Sequence, residues 1–272
     1  MTAAHTDQDC VSFARPRSLP GVELVSVAYR DRSFPTHIHA DYVVGTVLAG
    51  AEHLDVGGAR HVVGAGDVLR LHPGEPHANS SIGSDTLRYR VFYLPPDRIA
   101  PYLDAERGER GLSFASPVAR DDALSQILAE VHEVLSSDIT GSLEQESAMM
   151  ALVRALAADA ADEVERGPGA GAAIRRAQDY IDAHFAEGFG LSELSTAAEL
   201  SVFHLVRSFK KAVGLSPLAY RNQQRVTEAR RLLLAGGRIA EVAIDVGFAD
   251  QSHLTRQFQR IIGVSPGRYT QQ

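Results

Sequence analysis

One segment of seventeen residues occurs twice in the last quarter of this 272-residue chain, and it restricts the fold more than any other feature. His204-Leu205-Val206-Arg207-Ser208-Phe209, followed by Gly214, Ser216-Pro217 and Tyr220, returns as His253-Leu254-Thr255-Arg256-Gln257-Phe258, followed by Gly263, Ser265-Pro266 and Tyr269, at a constant offset of 49. The shared pattern HLxRxFxxxxGxSPxxY is identical at eight positions. Upstream, Leu191, Leu194 and Ala198 correspond to Ile239, Val242 and Val246 at an offset of 48, so one residue has entered the second copy. Self-similarity of this kind marks one supersecondary unit built twice.

Each copy reads as helix, tight turn, helix. Ile239 to Val246 has helical apolar spacing, Gly247 suits the left-handed backbone of a sharp turn, and Asp250 is placed to cap the helix that follows. Ser201 is the equivalent cap in the first copy, where Glu199 stands in place of Gly247. Gly214 and Gly263 end the long helices, and Ser216-Pro217 opens a connector expected to run to Leu234. Helix-turn-helix units bind DNA by laying the second helix in the major groove, the alternative for such a pair being a plain helical bundle with surface arginines. The positions expected to meet base edges are Val202, Phe203, Val206 and Arg207 in the first copy and Gln251, Ser252, Thr255 and Arg256 in the second. Arginine bridges guanine O6 and N7, glutamine pairs with adenine, and apolar groups touch the thymine methyl. Ser201, His204, Lys210, Lys211, Arg221, Arg225 and Arg260 are the expected phosphate neighbours. A connector of 18 residues spans about 27 Å, near the 34 Å repeat of B-DNA, so one chain can offer both reading helices to successive groove turns.

The net charge of -7 argues against nucleic acid only if it is evenly spread. It is not. Pro168 to Gln272 holds 13 Lys+Arg against 9 Asp+Glu, whereas residues 1 to 167 hold 14 against 25. The boundary is the Gly/Pro/Ala stretch from Glu163 to Ala173, read as a linker. Before it, β-rich runs (Val22 to Tyr29, Tyr42 to Leu48, Arg60 to Val63, Val68 to Leu71, Leu87 to Leu94) alternate with turn signals, the mark of a sandwich or small barrel. Leu124, Ile127, Leu128, Val131 and Leu135, then Met149, Leu152, Val153 and Leu156, recur at helical spacing. Those two helices either cover the barrel or form a dimer interface. The fold class is α+β in two domains: an arm (1–20), a barrel (21–120), a helical dimerisation segment (121–162), a linker (163–173) and an all-α domain with two helix-turn-helix units (174–272). No apolar run reaches the roughly 20 residues needed to span a bilayer, and residues 1–20 lack a secretory leader's apolar core. A cytoplasmic protein without membrane association is expected.

The paired units, the stretch IAEVAIDVGFADQSHLTRQFQRIIGVSPGRY and the SPLAY start of the connector resemble the AraC/XylS family of bacterial transcription regulators. That resemblance implies sequence-specific binding to promoter double-stranded DNA and control of transcription, most often activation through RNA polymerase, with family base contacts on Phe203, Val206, Arg207, Gln251, Ser252 and Arg256. Val206 departs from the pattern, being apolar where a hydrogen-bonding reader is expected. His37-Ile38-His39, Gly66-Asp67 and His72-Pro73-Gly74-Glu75-Pro76-His77 followed by Asn79 resemble, less specifically, the family's cupin-type sensor barrel. A small-molecule effector is implied, with His37, His39, Tyr42, His77, Arg88, Arg90 and Tyr93 as the expected ligand-binding residues. Arg88 and Arg90 share one face, which favours an acidic ligand if it points inward and is merely solvated if outward. Metal-binding cupins add a glutamate after the HxH pair; Val43 and Val44 stand where it would be. No metal, no other cofactor and no catalytic residue is therefore expected, a three-histidine set of His37, His39 and His77 being the open exception. A ligand-responsive regulator acting as a homodimer is the leading reading. A metal-dependent cupin enzyme fused to a DNA-binding tail, or a constitutive DNA binder whose barrel only dimerises, is the alternative.

Overall fold

A computed structural model describes residues 10–103, 110–160 and 171–271, which fall into two compact units divided after Val164. Phe34–His37 belong to the first unit through the backbone hydrogen bonds of their strand.

The first unit is built on ten strands: β1 (Cys10–Ala14), β2 (Glu23–Tyr29), β3 (Ser33–His37), β4 (Tyr42–Ala49), β5 (Ala51–Val56), β6 (Ala59–Gly64), β7 (Asp67–Leu71), β8 (His77–Ser81), β9 (Leu87–Leu94) and β10 (Val118–Arg120). Six form a sheet in the order β1-β2-β9-β4-β7-β10 and four a second sheet in the order β3-β8-β5-β6. Alternation sorts the side chains. Val43, Val47, Leu54, Val56, Val63, Leu69, Leu71, Leu87 and Val91 form the apolar cluster shared by the two sheets, whereas Leu24, Val44, Val68, Phe92 and Leu94 lie on the opposite face of the larger one. That outer face is covered by helices α2 (Asp122–Ser136) and α3 (Ser142–Asp159), which follow the short α1 (Pro96–Ile99). Asp121 caps α2 by accepting from the Leu124 amide, and Leu124, Leu128, Val131 and Leu135 pack with Met149, Leu152, Val153 and Leu156 in one core. Each such leucine contributes about 1.5–3 kcal/mol by leaving water. The helical stripes are thus used to cover the unit's own sheet. Central strands buried on both faces are continuous apolar runs, and β4 (YVVGTVLA) is one.

Residues 10–14 of the expected arm correct the sequence reading. They pair antiparallel with β2, from Cys10 opposite Ala28 to Ala14 opposite Leu24, and so form an edge strand of the six-stranded sheet. Their alternation is weak because an edge strand needs only one buried residue, here Val11. Much of the expected 163–173 linker lies outside the described residues. Among the described residues no helix is long and apolar enough to cross a membrane.

The second unit holds α4 (Ala172–His184), α5 (Leu191–Ala198), α6 (Val202–Val213), α7 (Pro217–Leu234), α8 (Ile239–Asp245), α9 (Gln251–Ile262) and α10 (Pro266–Thr270). The duplication in sequence is a duplication in packing. Ser201 and Asp250 cap α6 and α9 by accepting from the His204 and His253 amides, and Gly214 and Gly263 end them at φ 76° and 88°. Phe209 meets Tyr220 edge-on with ring centroids 5.6 Å apart, and Phe258 meets Tyr269 in the same way at 5.4 Å. The repeated residues are therefore mostly those that cap, terminate or fill.

Glu199 occupies the turn position of Gly247 at φ 55°, and among the described residues it is the sole non-glycine at positive φ. Such a backbone costs a β-carbon-bearing residue about 1–2 kcal/mol. Arg176 offsets part of this by donating to the Glu199 carboxylate at 3.2 Å and to the Ala198 carbonyl at 3.1 Å. At Gly247 the constraint is steric as well: a β-carbon there would lie 2.2 Å from the Ala186 carbonyl oxygen.

Candidate nucleic-acid interface and barrel interior

The start of a capped helix concentrates unpaired amides and the positive end of the helix dipole, which suits it to a phosphate backbone. Both α6 and α9 leave that end open. Val202 is 40% exposed and Phe203, an aromatic ring with no core to enter, is 76% exposed. Arg207, Gln251, Ser252 and Arg256 are exposed, and Val206 and Thr255 are half-buried. Thr255 donates its hydroxyl to the Gln251 carbonyl at 2.8 Å, so the methyl is the group it has to offer a base. Leu205, Phe209, Leu254 and Phe258 are fully buried on the opposite side, which fixes each helix against rotation and aims its reading face.

Ser201, His204, Lys210, Lys211 and Arg260 are exposed, as a phosphate role requires. Arg221 and Arg225 are not available for that role. Arg225 is 6% exposed; its Nε donates to the Phe185 carbonyl at 2.6 Å, its Nη2 donates to the Glu187 carbonyl at 3.1 Å, and its guanidinium lies over the Phe248 ring. Burial, with the neighbouring Arg221 charge, pulls its pKa down to about 10. Arg221 donates to the Phe189 carbonyl at 3.0 Å and lies over that ring. The reason is periodicity: 221, 225, 229 and 233 form one stripe along α7, and Ala229 and Leu233 are core. The two arginines hold the α4–α5 loop.

In the barrel, strand alternation decides which expected residues face inward. Leu87, Tyr89, Val91 and Tyr93 of β9 lie on the inner face, so Arg88 and Arg90 point away from it. Arg88 is exposed, and Arg90 donates to the Ala129 carbonyl of α2. Tyr42 is also outside: its hydroxyl donates to the Leu112 carbonyl at 3.1 Å, accepts from the Leu112 amide at 2.9 Å, and its ring belongs to the core beneath the helices. Tyr42, Arg88 and Arg90 therefore leave the ligand-binding set, and with the two arginines goes the case for an acidic ligand.

His37, His39, His77 and Tyr93 come together. His39 packs on Tyr93 with centroids 4.8 Å apart and on His77 at 5.3 Å. Beside Tyr89, on the same inner face, lies a polar group that the sequence reading missed. Glu52 of β5 is 2% exposed and accepts a hydrogen bond from Asn79 Nδ2 of β8 at 2.9 Å. Burial pushes its carboxyl up to about 7, against the opposing pull of Asn79. Tyr89 hydrogen-bonds Asn79, and burial together with the adjacent Glu52 drives its hydroxyl well above its ordinary value. An interior that carries a carboxyl titrating near neutrality, an amide and phenols among aliphatic walls has the composition of a small-molecule site. The missed signal was the phase of β5, where Glu52 shares its face with Leu54 and Val56.

Comparison with known proteins agrees with both halves. Residues 19–153 match the AraC-like ligand binding domain, and residues 194–272 match a helix-turn-helix domain. An uncharacterized HTH-type transcriptional regulator of Bacillus subtilis, YbfI, is 30% identical over 226 residues, covering 82% of each chain. The arabinose operon regulatory protein of Salmonella typhimurium is 26% identical over 235 residues, 84% of this chain and 83% of that one. Among solved structures, unsaturated fatty acid bound ToxT from Vibrio cholerae superposes with a TM-score of 0.58 at 12% identity, covering 92% of this chain and 94% of that one; at such identity the likeness is one of fold.

Proposed function

The chain belongs to the AraC family of transcription regulators, and from that premise we propose how its parts divide the work. The helical domain, taken as 174–272, reads promoter DNA through Val202, Phe203, Val206 and Arg207 on one helix and Gln251, Ser252, Thr255 and Arg256 on the other. Ser201, His204, Lys210, Lys211 and Arg260 supply the phosphate contacts. The barrel takes up a small effector among His37, His39, His77 and Tyr93, to which Glu52, Asn79 and Tyr89 are added. The protein acts in the cytoplasm as an activator that contacts RNA polymerase, without catalysis of its own. It dimerises through residues 121–162, where Leu143 and Met150 leave apolar surface on α3 outside the core.

The observation that carries the DNA reading is the exposed first turn on two helices that are otherwise fastened by equivalent caps, Ser201 and Asp250, and identical aromatic pairs. Folding alone gives no reason to hold Phe203 in water or to repeat Arg207 as Arg256. A balance of 13 Lys+Arg against 9 Asp+Glu over Pro168 to Gln272 gives modest non-specific affinity, so selectivity has to come from base contacts made twice per chain. Genome-wide mapping of bound sites tests this. A single recurrent motif with two sub-sites about one helical turn apart is the expected result; occupancy that follows DNA abundance without a motif would refute it.

A further inference from the structure

The histidines at the barrel interior are fixed in a way that a merely hydrogen-bonding lining does not require. His37 ends β3, His39 lies two residues beyond the strand's end, and His77 opens the neighbouring strand β8. One ring nitrogen from each of the three lies within 4.8 Å of the others. His37 Nδ1 lies 2.8 Å from the Pro35 carbonyl oxygen and His77 Nδ1 lies 3.0 Å from that of Glu75. A carbonyl has no proton to give, so in both rings Nδ1 carries the hydrogen. In the neutral ring the basic lone pair is then on Nε2. Metal-ligating histidines are held in this manner: the outer N–H is anchored to a backbone carbonyl, which sets the tautomer and the ring direction. Both anchors are carbonyls two residues upstream, Pro35 within β3 and Glu75 just before β8, so the local backbone holds each ring independently of the other.

We propose that His37, His39 and His77 form a binding site for one divalent transition-metal ion, with Zn2+ the best-fitted occupant. Three imidazoles without a carboxylate among them select borderline ions such as Zn2+, Co2+ and Ni2+ over Mg2+ and Ca2+, which need oxygen ligands. Zinc bonds imidazole nitrogen at about 2.0–2.1 Å, which places tetrahedral ligand atoms about 3.4 Å apart. The rings therefore close by about an ångström on filling. Three protein ligands leave the fourth position to water or to an exogenous donor. The expectation of a metal-free barrel rested on the missing glutamate after His39, and the anchored tautomers supply a site that does without it.

The test uses the full chain, stripped with a chelator and then titrated with Zn2+ against a chromophoric competitor. One tight equivalent is expected. His39→Ala and His77→Ala should each weaken it at least about 100-fold, beyond the 10–100-fold typical of outer partners, while His53→Ala, on the other face of β5, keeps it. Co2+ should give a visible spectrum of a low-coordinate nitrogen site that disappears in the same two variants. If His77→Ala fails to fold, His39→Ala at its half-exposed position decides the matter. Wild-type protein without a tight equivalent, or His39→Ala binding Zn2+ as wild type does, would overturn the site. DNA binding by the stripped protein is measured alongside, so that failure here stays separate from failure of the DNA reading.

Discussion

Replacing Glu52 by glutamine isolates one buried charge. The variant keeps the shape and an acceptor for Asn79 Nδ2 but removes ionisation. Glu52 is raised from 4.5 to about 7 by burial, so the folded barrel holds a proton there that the unfolded chain releases. Between those values the folded state binds more protons than the unfolded one, and stability falls as pH rises. At 1.36 kcal/mol for each tenfold change in acidity, the loss is complete just above pH 7 and amounts to about 3 kcal/mol. Glu52→Gln should match wild type near pH 4.5 and exceed it progressively up to that figure by pH 8. His132, lowered from 6.5 to about 4 chiefly by burial, acts in the opposite direction, because the unfolded chain binds its proton first and stability rises from pH 4 to 6.5. In wild type the two slopes largely cancel between pH 4.5 and 6.5; in the variant the His132 slope stands alone. Hydrogen exchange of β4 and β9 peptides, compared between variant and wild type at each pH so that intrinsic rates cancel, reads the difference within the barrel. An advantage of the same size at pH 5 and pH 8 would mean that Glu52 titrates as a solvated carboxylate, and the buried cluster would be refuted.

Four further outcomes follow from named residues. Arg225→Met removes two charged donors from the Phe185 and Glu187 carbonyls and should lower the helical domain's stability by about 3 kcal/mol in urea melts. Lys210→Ala should leave the melt unchanged and reduce the slope of DNA affinity against salt by about one; the reverse pattern would restore Arg225 to the phosphate set. Glu199→Gly should stabilise by up to about 1 kcal/mol, since the left-handed turn strains any side chain there. Gly247→Ala should destabilise by at least about 2 kcal/mol in the same urea melts, its β-carbon having no room before Ala186.

Much of the helical domain was legible because its function and its folding use the same signals. A cap, a terminal glycine and an aromatic pair recur at fixed spacing, and the intervening residues are left to read. The barrel was less legible. β3, β5 and β8 bear histidine, glutamate and asparagine on their inner face, and a strand that points polar groups inward does not alternate in the usual sense. Arg88 and Arg90 were ambiguous until the pairing of β9 with β4 fixed which side was outer. Arg225 was misread for its charge, although its spacing with Ala229 and Leu233 placed it on the core side of α7.

The sharpest trial of the DNA reading is binding of full-length protein to its selected operator and to duplexes changed one base pair at a time. Arg207→Ala and Arg256→Ala should each lose about 1–3 kcal/mol on the operator and become indifferent to substitution at one base pair, the two pairs lying about one helical turn apart. If both variants weaken every duplex equally, or neither weakens the operator, α6 and α9 do not read the groove.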